Sequence, residues 1–295
     1  MDTKKNESIL PPYIQGESDR VAFYGYTCIG GRNEDQDYLA HETVNDNEIF
    51  LVCDGMGGHA GGCVASATAA QTMLETFLQQ TEVLPADEAV IMAVKAANNA
   101  VYKKSQEEAS LKGMGTTLTL LLIDAHAAYV THVGDSRVYQ LRRGHKIFRT
   151  FDHSMVFEHV AKDESLIQRL RRKISGHDTQ YITEEEARVH PRANILSKAI
   201  GILPDLDIEV SKLEYKQGDR FVLCCDGVWN TQPEPEIISM FTSHTDLEAT
   251  VKSTQSMVEK IGKEKGGMHD NHTMIAVDLK CDSEYKVPLL KRIHL

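Results

Sequence analysis

Apolar residues recur along this chain in two rhythms, and the order in which the rhythms alternate predicts the architecture. Runs of strand length, rich in β-branched and aromatic residues, lie at residues 21–30 (VAFYGYTCIG), 49–53, 113–124, 127–133, 137–141, 221–225 and 273–278. Between the second and third of these runs, residues 65–80 and 86–108 show helical spacing instead. In the latter, Ala89, Ile91, Met92, Val94, Ala96, Ala97, Ala100 and Val101 make one broad apolar face. Another helix is expected over residues 247–261. Strands, then two helices, then strands again predict an α+β fold with antiparallel sheets, not a βαβ alternation.

The remaining segments are less regular. Residues 1–18 are polar and proline-interrupted and predict a flexible N-terminal arm. Residues 19–282 read as a single domain, and residues 283–295 as a C-terminal tail. Asp152, His153 and Ser154 are placed to cap a helix over residues 156–164. Residues 155–190 read as a flap-like insertion, whose basic cluster (Arg169, Arg171, Arg172, Lys173) reads first as a solvated helix face.

Charge and cysteine usage narrow the class. With a formal net charge of -11 over 295 residues, the chain lacks the basic excess that nucleic-acid binding requires. Lys4 and Lys5 are followed by polar residues, not by the apolar stretch of a signal peptide, and no apolar run is long enough to span a membrane. The six cysteines form no C-x-x-C pair and several lie in apolar runs, which predicts reduced core residues in a cytoplasmic protein.

The stretch around which the chain is organised is residues 48–67, EIFLVCDGMGGHAGGCVASA. A buried strand ends in Asp54, and the glycines that follow let backbone approach an ion or a phosphate closely. Gly55-Met-Gly-Gly-His-Ala60 also fits a dinucleotide-binding fingerprint, but the acidic residue expected about twenty positions on is Glu75, inside a helical segment. Residues 221–230 repeat the design, with an apolar strand, a cysteine and then Asp226-Gly227. Asp37, Asp54, Asp226 and Asp270 are distant in sequence, and most of them abut strands. Gathered together they would repel unless cations neutralised them. All-oxygen ligands suit Mg²⁺ or Mn²⁺ better than zinc. Two such ions can activate water for in-line attack on phosphorus. Arg32 is a candidate to hold the phosphate, and His59 to protonate the leaving oxygen.

At this point the motifs resemble the PPM-type (type 2C) metal-dependent serine/threonine protein phosphatases in their bacterial form. The resemblance runs through Arg32 to Asp37, V-x-D-G-M-G-G-H-A-G-G from Val52, M-G-T-T-L from Met114, G-D-S-R from Gly134, D-H-S from Asp152, the H-P-R element from His190, C-D-G-x-W from Cys225 and D-N-x-T from Asp270. It implies a four-layer α-β-β-α sandwich, two central antiparallel sheets flanked by helix pairs, around a dinuclear Mn²⁺ or Mg²⁺ centre. On that resemblance Asp54 bridges the two ions, the Gly55 carbonyl binds one, and Asp226 and Asp270 bind the other. Asp37 orients the attacking water, Arg32 binds the substrate phosphate, and Asp135 helps Asp226 hold a third, weaker ion. Gln36 stands where many members have Glu; in a slipped register Glu34 and Asp35 would take those places, but the spacing from Arg32 favours Gln36 and Asp37.

The implied activity is one-step hydrolysis of phosphoserine and phosphothreonine monoesters. Its partners would be phosphorylated proteins, among them a cognate Ser/Thr kinase or the targets of one, with no nucleic acid and no membrane, and the chain is expected to be a monomer. The alternative from another class is an idle relative that binds phosphoproteins as a regulator.

Overall fold

Two antiparallel sheets, one contributing strands to each end of the chain, organise a computed structural model that describes residues 13–58, 61–157 and 184–287. In chain order the elements are β1 (Tyr13–Glu17), β2 (Val21–Cys28), β3 (Asp37–Val44), β4 (Asn47–Met56), α1 (Gly61–Gln80), α2 (Ala86–Glu107), β5 (Gly115–Thr116), β6 (Leu118–Ile123) and β7 (Ala128–Val133). They continue with β8 (Arg137–Arg142), β9 (His145–Arg149), α3 (Glu184–Arg188), β10 (Ser211–Leu213), β11 (Asp219–Cys224), α4 (Asp226–Trp229), α5 (Glu234–Phe241), α6 (Leu247–Glu264) and β12 (His272–Leu279). The first sheet runs β1-β2-β12-β11-β8-β9. The second runs β10-β7-β6-β4-β3, with β5 paired to the end of β4.

β4 shows how the sequence builds the layers. Phe50 and Val52 join the core that reaches across to the first sheet and, beyond it, to α5 and α6. The alternate residues Ile49, Leu51 and Cys53 pack on the other face with α1 and α2. A strand covered on both faces reads as an unbroken apolar run, as this one does. α1 presents Ala65, Ala69, Ala70, Met73 and Phe77 to the second sheet. α6 begins at Asp246, whose carboxylate accepts from the Ala249 amide at 2.6 Å, and packs on β2 and β12 of the first sheet. The result is the expected α-β-β-α sandwich. All six cysteines are free, as expected.

Several expectations are corrected at the edges. Residues 13–17 of the expected arm form an edge strand, paired with β2 from Tyr13↔Tyr26 to Glu17↔Ala22. At the other end, residues 283–287 are packed: the Ser283 amide donates to the Tyr215 carbonyl at 2.9 Å, and the Tyr285 amide to that of His126 at 2.7 Å. β3 occupies part of what reads as a charged connection. Its hairpin to β4 closes through Asn45 and Asp46 at φ of 50° and 63°, a left-handed turn that short polar side chains tolerate. The expected helix over residues 156–164 lies outside the described residues except for Val156 and Phe157, which are buried. So does the basic cluster at Arg169, Arg171, Arg172 and Lys173. Where the described residues resume, Glu184 pairs with Arg149 and, at 3.4 Å, with Arg137.

Candidate active site

Asp54 is held by its backbone from three directions. Its amide donates to Thr117 Oγ1 at 2.9 Å, and its carbonyl accepts from the Thr117 amide at 2.8 Å and the Thr116 hydroxyl at 2.9 Å. Thr117 Oγ1 in turn meets Ser136 Oγ at 2.8 Å, so the turn between β7 and β8 braces the same point. Asp37, the first residue of β3, is the direct cross-strand partner of Asp54. The next amide, of Gly55, donates to the Gln36 carbonyl at 3.1 Å. A Cβ on Gly55 would stand 2.2 Å from the Gly62 carbonyl oxygen and 2.6 Å from that of Gln36, so only glycine lets the start of α1 approach β4 here.

The first sheet supplies the other acids. Asp226 opens α4 directly after β11, and Asp270 lies in the loop before β12. Asn271 clamps that loop to the one carrying Arg32. Its Nδ2 donates to the carbonyls of Ile29 at 2.8 Å and Glu34 at 2.9 Å, and its Oδ1 accepts from the Gln36 amide at 3.0 Å. Arg32 reaches across to Asp270, Nη2 to Oδ2 at 2.8 Å, both side chains about half exposed. Asp37, by contrast, is buried. Its Oδ2 accepts from the Thr273 hydroxyl at 2.6 Å and the Cys225 thiol at 3.3 Å. Its Oδ1, like Oδ1 of Asp226, is buried without a hydrogen-bond partner.

The electrostatics follow from that crowding. Burial, then the charges of Asp37, Asp226, Asp135 and Asp270, push the Asp54 carboxyl well above the usual carboxylate range. Burial and then Asp35 do the same to Asp37, and burial followed by Asp226 and Asp152 to Asp135. Asp226 is pushed up to about 6 by burial and then by Asp270. Carboxyls that hold their protons so tightly, two of them with an orphaned oxygen, form a cluster whose charge a divalent cation would neutralise. The donors are mainly hard oxygens, so the residues present fit Mg²⁺ or Mn²⁺.

The surrounding motifs serve to hold this arrangement. Arg137 is buried and grips Asp152 in a fork, Nε to Oδ1 at 2.8 Å and Nη2 to Oδ2 at 2.7 Å. Its guanidinium lies 3.5 Å over the Trp229 ring, and Trp229 Nε1 donates to the Asp135 carbonyl at 2.9 Å. Three motifs distant in sequence thereby lock Asp135 beside Asp226.

Of the residues singled out from the sequence, Asp37, Asp54, Asp135, Asp226 and Asp270 come together, Gly55 adjoins them, and Arg32 sits at the rim on Asp270. Gln36 Nε2 donates to Glu34 Oε1 at 2.7 Å. Asp35 is occupied by the Thr27 hydroxyl at 2.7 Å and the Asp37 amide at 3.1 Å, which leaves Asp37 and not Asp35 facing Asp54. His59 lies outside the described residues. Thr117, Cys225, Asn271 and Thr273 were not assigned supporting roles from the sequence. All four fall inside the quoted motifs, which was the available signal.

The fold is that of the PPM class of phosphatases. The PPM Ser-Thr phosphatase MsPP from Mycobacterium smegmatis, solved in complex with cacodylate, superposes with a TM-score of 0.68 at 27% identity over 87% of this chain and 97% of its own. The catalytic domain of PstP in complex with two manganese ions shares the fold at a TM-score of 0.65, with 24% identity over 88% of this chain and 99% of that one. The serine/threonine phosphatase Stp of Listeria monocytogenes is 30% identical over 245 residues, 80% of this chain and 86% of Stp. The model of the protein phosphatase 2C family matches residues 24–265, and the chain belongs to that family. It is a serine/threonine phosphoprotein phosphatase.

Proposed function

We propose that this phosphatase works through two Mn²⁺ or Mg²⁺ ions held by Asp54, the Gly55 carbonyl, Asp226 and Asp270, with Asp135 contributing to a third, weaker position. The observation that carries the reading is the cluster of buried Asp37 with half-buried Asp54 and Asp226, in which carboxyls are forced to high pKa and two buried oxygens are left without partners. The two manganese ions of PstP support it by analogy. Bound there, the ions would lower the pKa of water and screen the phosphate charge.

The chain's own residues supply the rest. Arg32, half exposed at the rim, exchanges Asp270 for the substrate phosphate and fixes its orientation. Asp37, held by Thr273 and Cys225, positions the attacking water and accepts its hydrogen bond through the free Oδ1. His59 stands as the donor to the leaving serine or threonine oxygen. No residue acts as a nucleophile, so hydrolysis proceeds in one step. Cys225 does not compete for that role, because burial and the neighbouring aspartates hold its thiol well above the usual range. The enzyme is proposed to act in the cytoplasm as a monomer, with a Ser/Thr kinase or its targets as substrate. Among the described residues, no helix is long and apolar enough to cross a membrane.

The test is hydrolysis of p-nitrophenyl phosphate and a phosphothreonine peptide by metal-stripped protein, with Mn²⁺, Mg²⁺, Ca²⁺ or Zn²⁺ added back, beside Asp226→Ala. Turnover restored by Mn²⁺ or Mg²⁺ in the wild type and absent in the variant is the expected result. A folded protein that no metal activates would overturn it in favour of a phosphoprotein-binding regulator.

A further inference from the structure

Outside the carboxylate cluster, a second group of ligand-type side chains converges where the end of β2, the C-terminal half of α6 and the start of β12 meet. The Oε1 atom of Glu259 lies 3.1 Å from His272 Nε2, 3.3 Å from His269 Nε2 and 3.4 Å from Cys28 Sγ. Donor atoms of Cys28, Glu259 and His272 all fall within 4.8 Å of one another. We propose that these three residues, with His269 beside them, form a second metal site, for a borderline divalent ion of the Zn²⁺ class.

Four observations support this over an ordinary hydrogen-bond network. One carboxylate oxygen accepts about two hydrogen bonds, whereas three donors crowd Oε1 here, Oε2 being engaged by Lys263 Nζ at 2.9 Å. Ligand atoms around a tetrahedral zinc ion, bound at about 2.0–2.3 Å, stand roughly 3.3–3.8 Å from one another, close to the three separations from Glu259 Oε1. His272 is fully buried, and its Nδ1 contacts the Tyr26 hydroxyl at 3.0 Å. That contact fixes the ring and leaves Nε2 directed at the cluster, the outer-sphere support that metal-binding histidines commonly have. Gly262, one turn along α6 from Glu259, leaves room for the His269 ring, because a Cβ there would come within 2.2 Å of it.

The donor set separates this site chemically from the carboxylate cluster. Thiolate, imidazole and carboxylate favour a softer ion than Mg²⁺. A surface depression of about 510 Å³ lined by Gln255, Glu259 and Lys263 brings solvent up to Glu259. Binding releases the Cys28 thiol proton to solvent, and the His269 side chain closes the fourth position by a small swing. Because Asp270 lies between His269 and His272, and the His269 carbonyl accepts from the Gly31 amide at 2.9 Å, an ion here stiffens the loops that carry Asp270 and Arg32.

The probe is Co²⁺, titrated into metal-stripped full-length protein carrying Asp226→Asn to weaken the carboxylate cluster. The expected result is a near-ultraviolet thiolate-to-cobalt charge-transfer band that saturates at one ion per chain and is displaced by Zn²⁺. The band is lost in Cys28→Ser, weakened at least tenfold in affinity in Glu259→Gln, and kept in Cys225→Ser. No band, a band that survives Cys28→Ser, or one lost only in Cys225→Ser would overturn the site. Melting in EDTA checks that Cys28→Ser, a near-isosteric change at a half-buried position, is folded.

Discussion

Asp54 is the residue on which stability and activity make opposite demands. Its half-buried carboxyl faces Asp37, Asp226, Asp135 and Asp270, so in the metal-free protein its charge opposes folding. Asp54→Asn keeps the volume and removes the charge. The metal-free variant is therefore expected to melt several degrees above metal-free wild type, since ~1 kcal/mol moves the midpoint of a chain this long by about 2–4 °C. It should also lose turnover and the rise in melting temperature expected of the wild type in Mn²⁺; differential scanning calorimetry with and without Mn²⁺ reads the melting shifts, and a phosphothreonine-peptide assay the turnover. Arg32 predicts a different signature. A charge-assisted contact contributes about 1.5–3 kcal/mol, so Arg32→Ala should raise KM for a phosphothreonine peptide roughly 10- to 100-fold while leaving the Mn²⁺-dependent melting shift in place. Loss of that shift would move Arg32 from substrate binding to the architecture of the metal centre.

At the level of elements, the site depends on loops pinned to strand ends. Asn271 joins the loop before β12 to the loop after β2 through three hydrogen bonds. Asn271→Ala strands two carbonyls and an amide, and urea denaturation should show a loss of roughly 3 kcal/mol with turnover falling in parallel. Gly55→Ala should be worse, because the clash is with backbone at 2.2 Å and 2.6 Å and no side chain can yield; its yield of folded protein is the readout. Asp54, Asp226 and Asp270 were legible in the sequence because each breaks an apolar run or directly precedes one, beside glycine or asparagine. Asp37 stood only in a charge cluster, and its role came from the family resemblance with the register set by the spacing from Arg32, since β3 is mixed in character and its turn, Asn45-Asp46, was not read as a hairpin. β1, β9 and β10 are short edge or near-edge strands with little apolar signal. The supporting contacts of Thr273 and Cys225 to Asp37 bridge the two sheets, and no local pattern encodes a contact between residues so far apart in sequence.

Over the whole molecule, pH and metal act through one linkage. Asp226 titrates at about 6 in the folded, metal-free protein, above the ~3.9 of an unfolded aspartate. Between these values the folded state binds more protons than the unfolded one, so stability of the metal-free protein should fall as pH rises through this window, by on the order of 3 kcal/mol from this group. On the proposed metal site Mn²⁺ would compete with the same proton, so its affinity should rise over that range and cancel the loss. Chemical denaturation in EDTA and in Mn²⁺, at pH values on either side of 6, checks the sign; a metal-free protein that gained stability with rising pH would contradict it. The position of β12 carries a consequence of another kind. It lies between β2 and β11, so near-terminal strands from opposite ends of the chain are neighbours in the middle of one sheet. During synthesis, β2 and β11 must each wait with an open edge, and Asp270 is the last of the acids to emerge. A nascent chain that has not yet delivered β12 therefore lacks the strand that joins β2 to β11 and, on the proposed reading, one carboxylate of the metal centre, so it is expected to stay silent until β12 has been made.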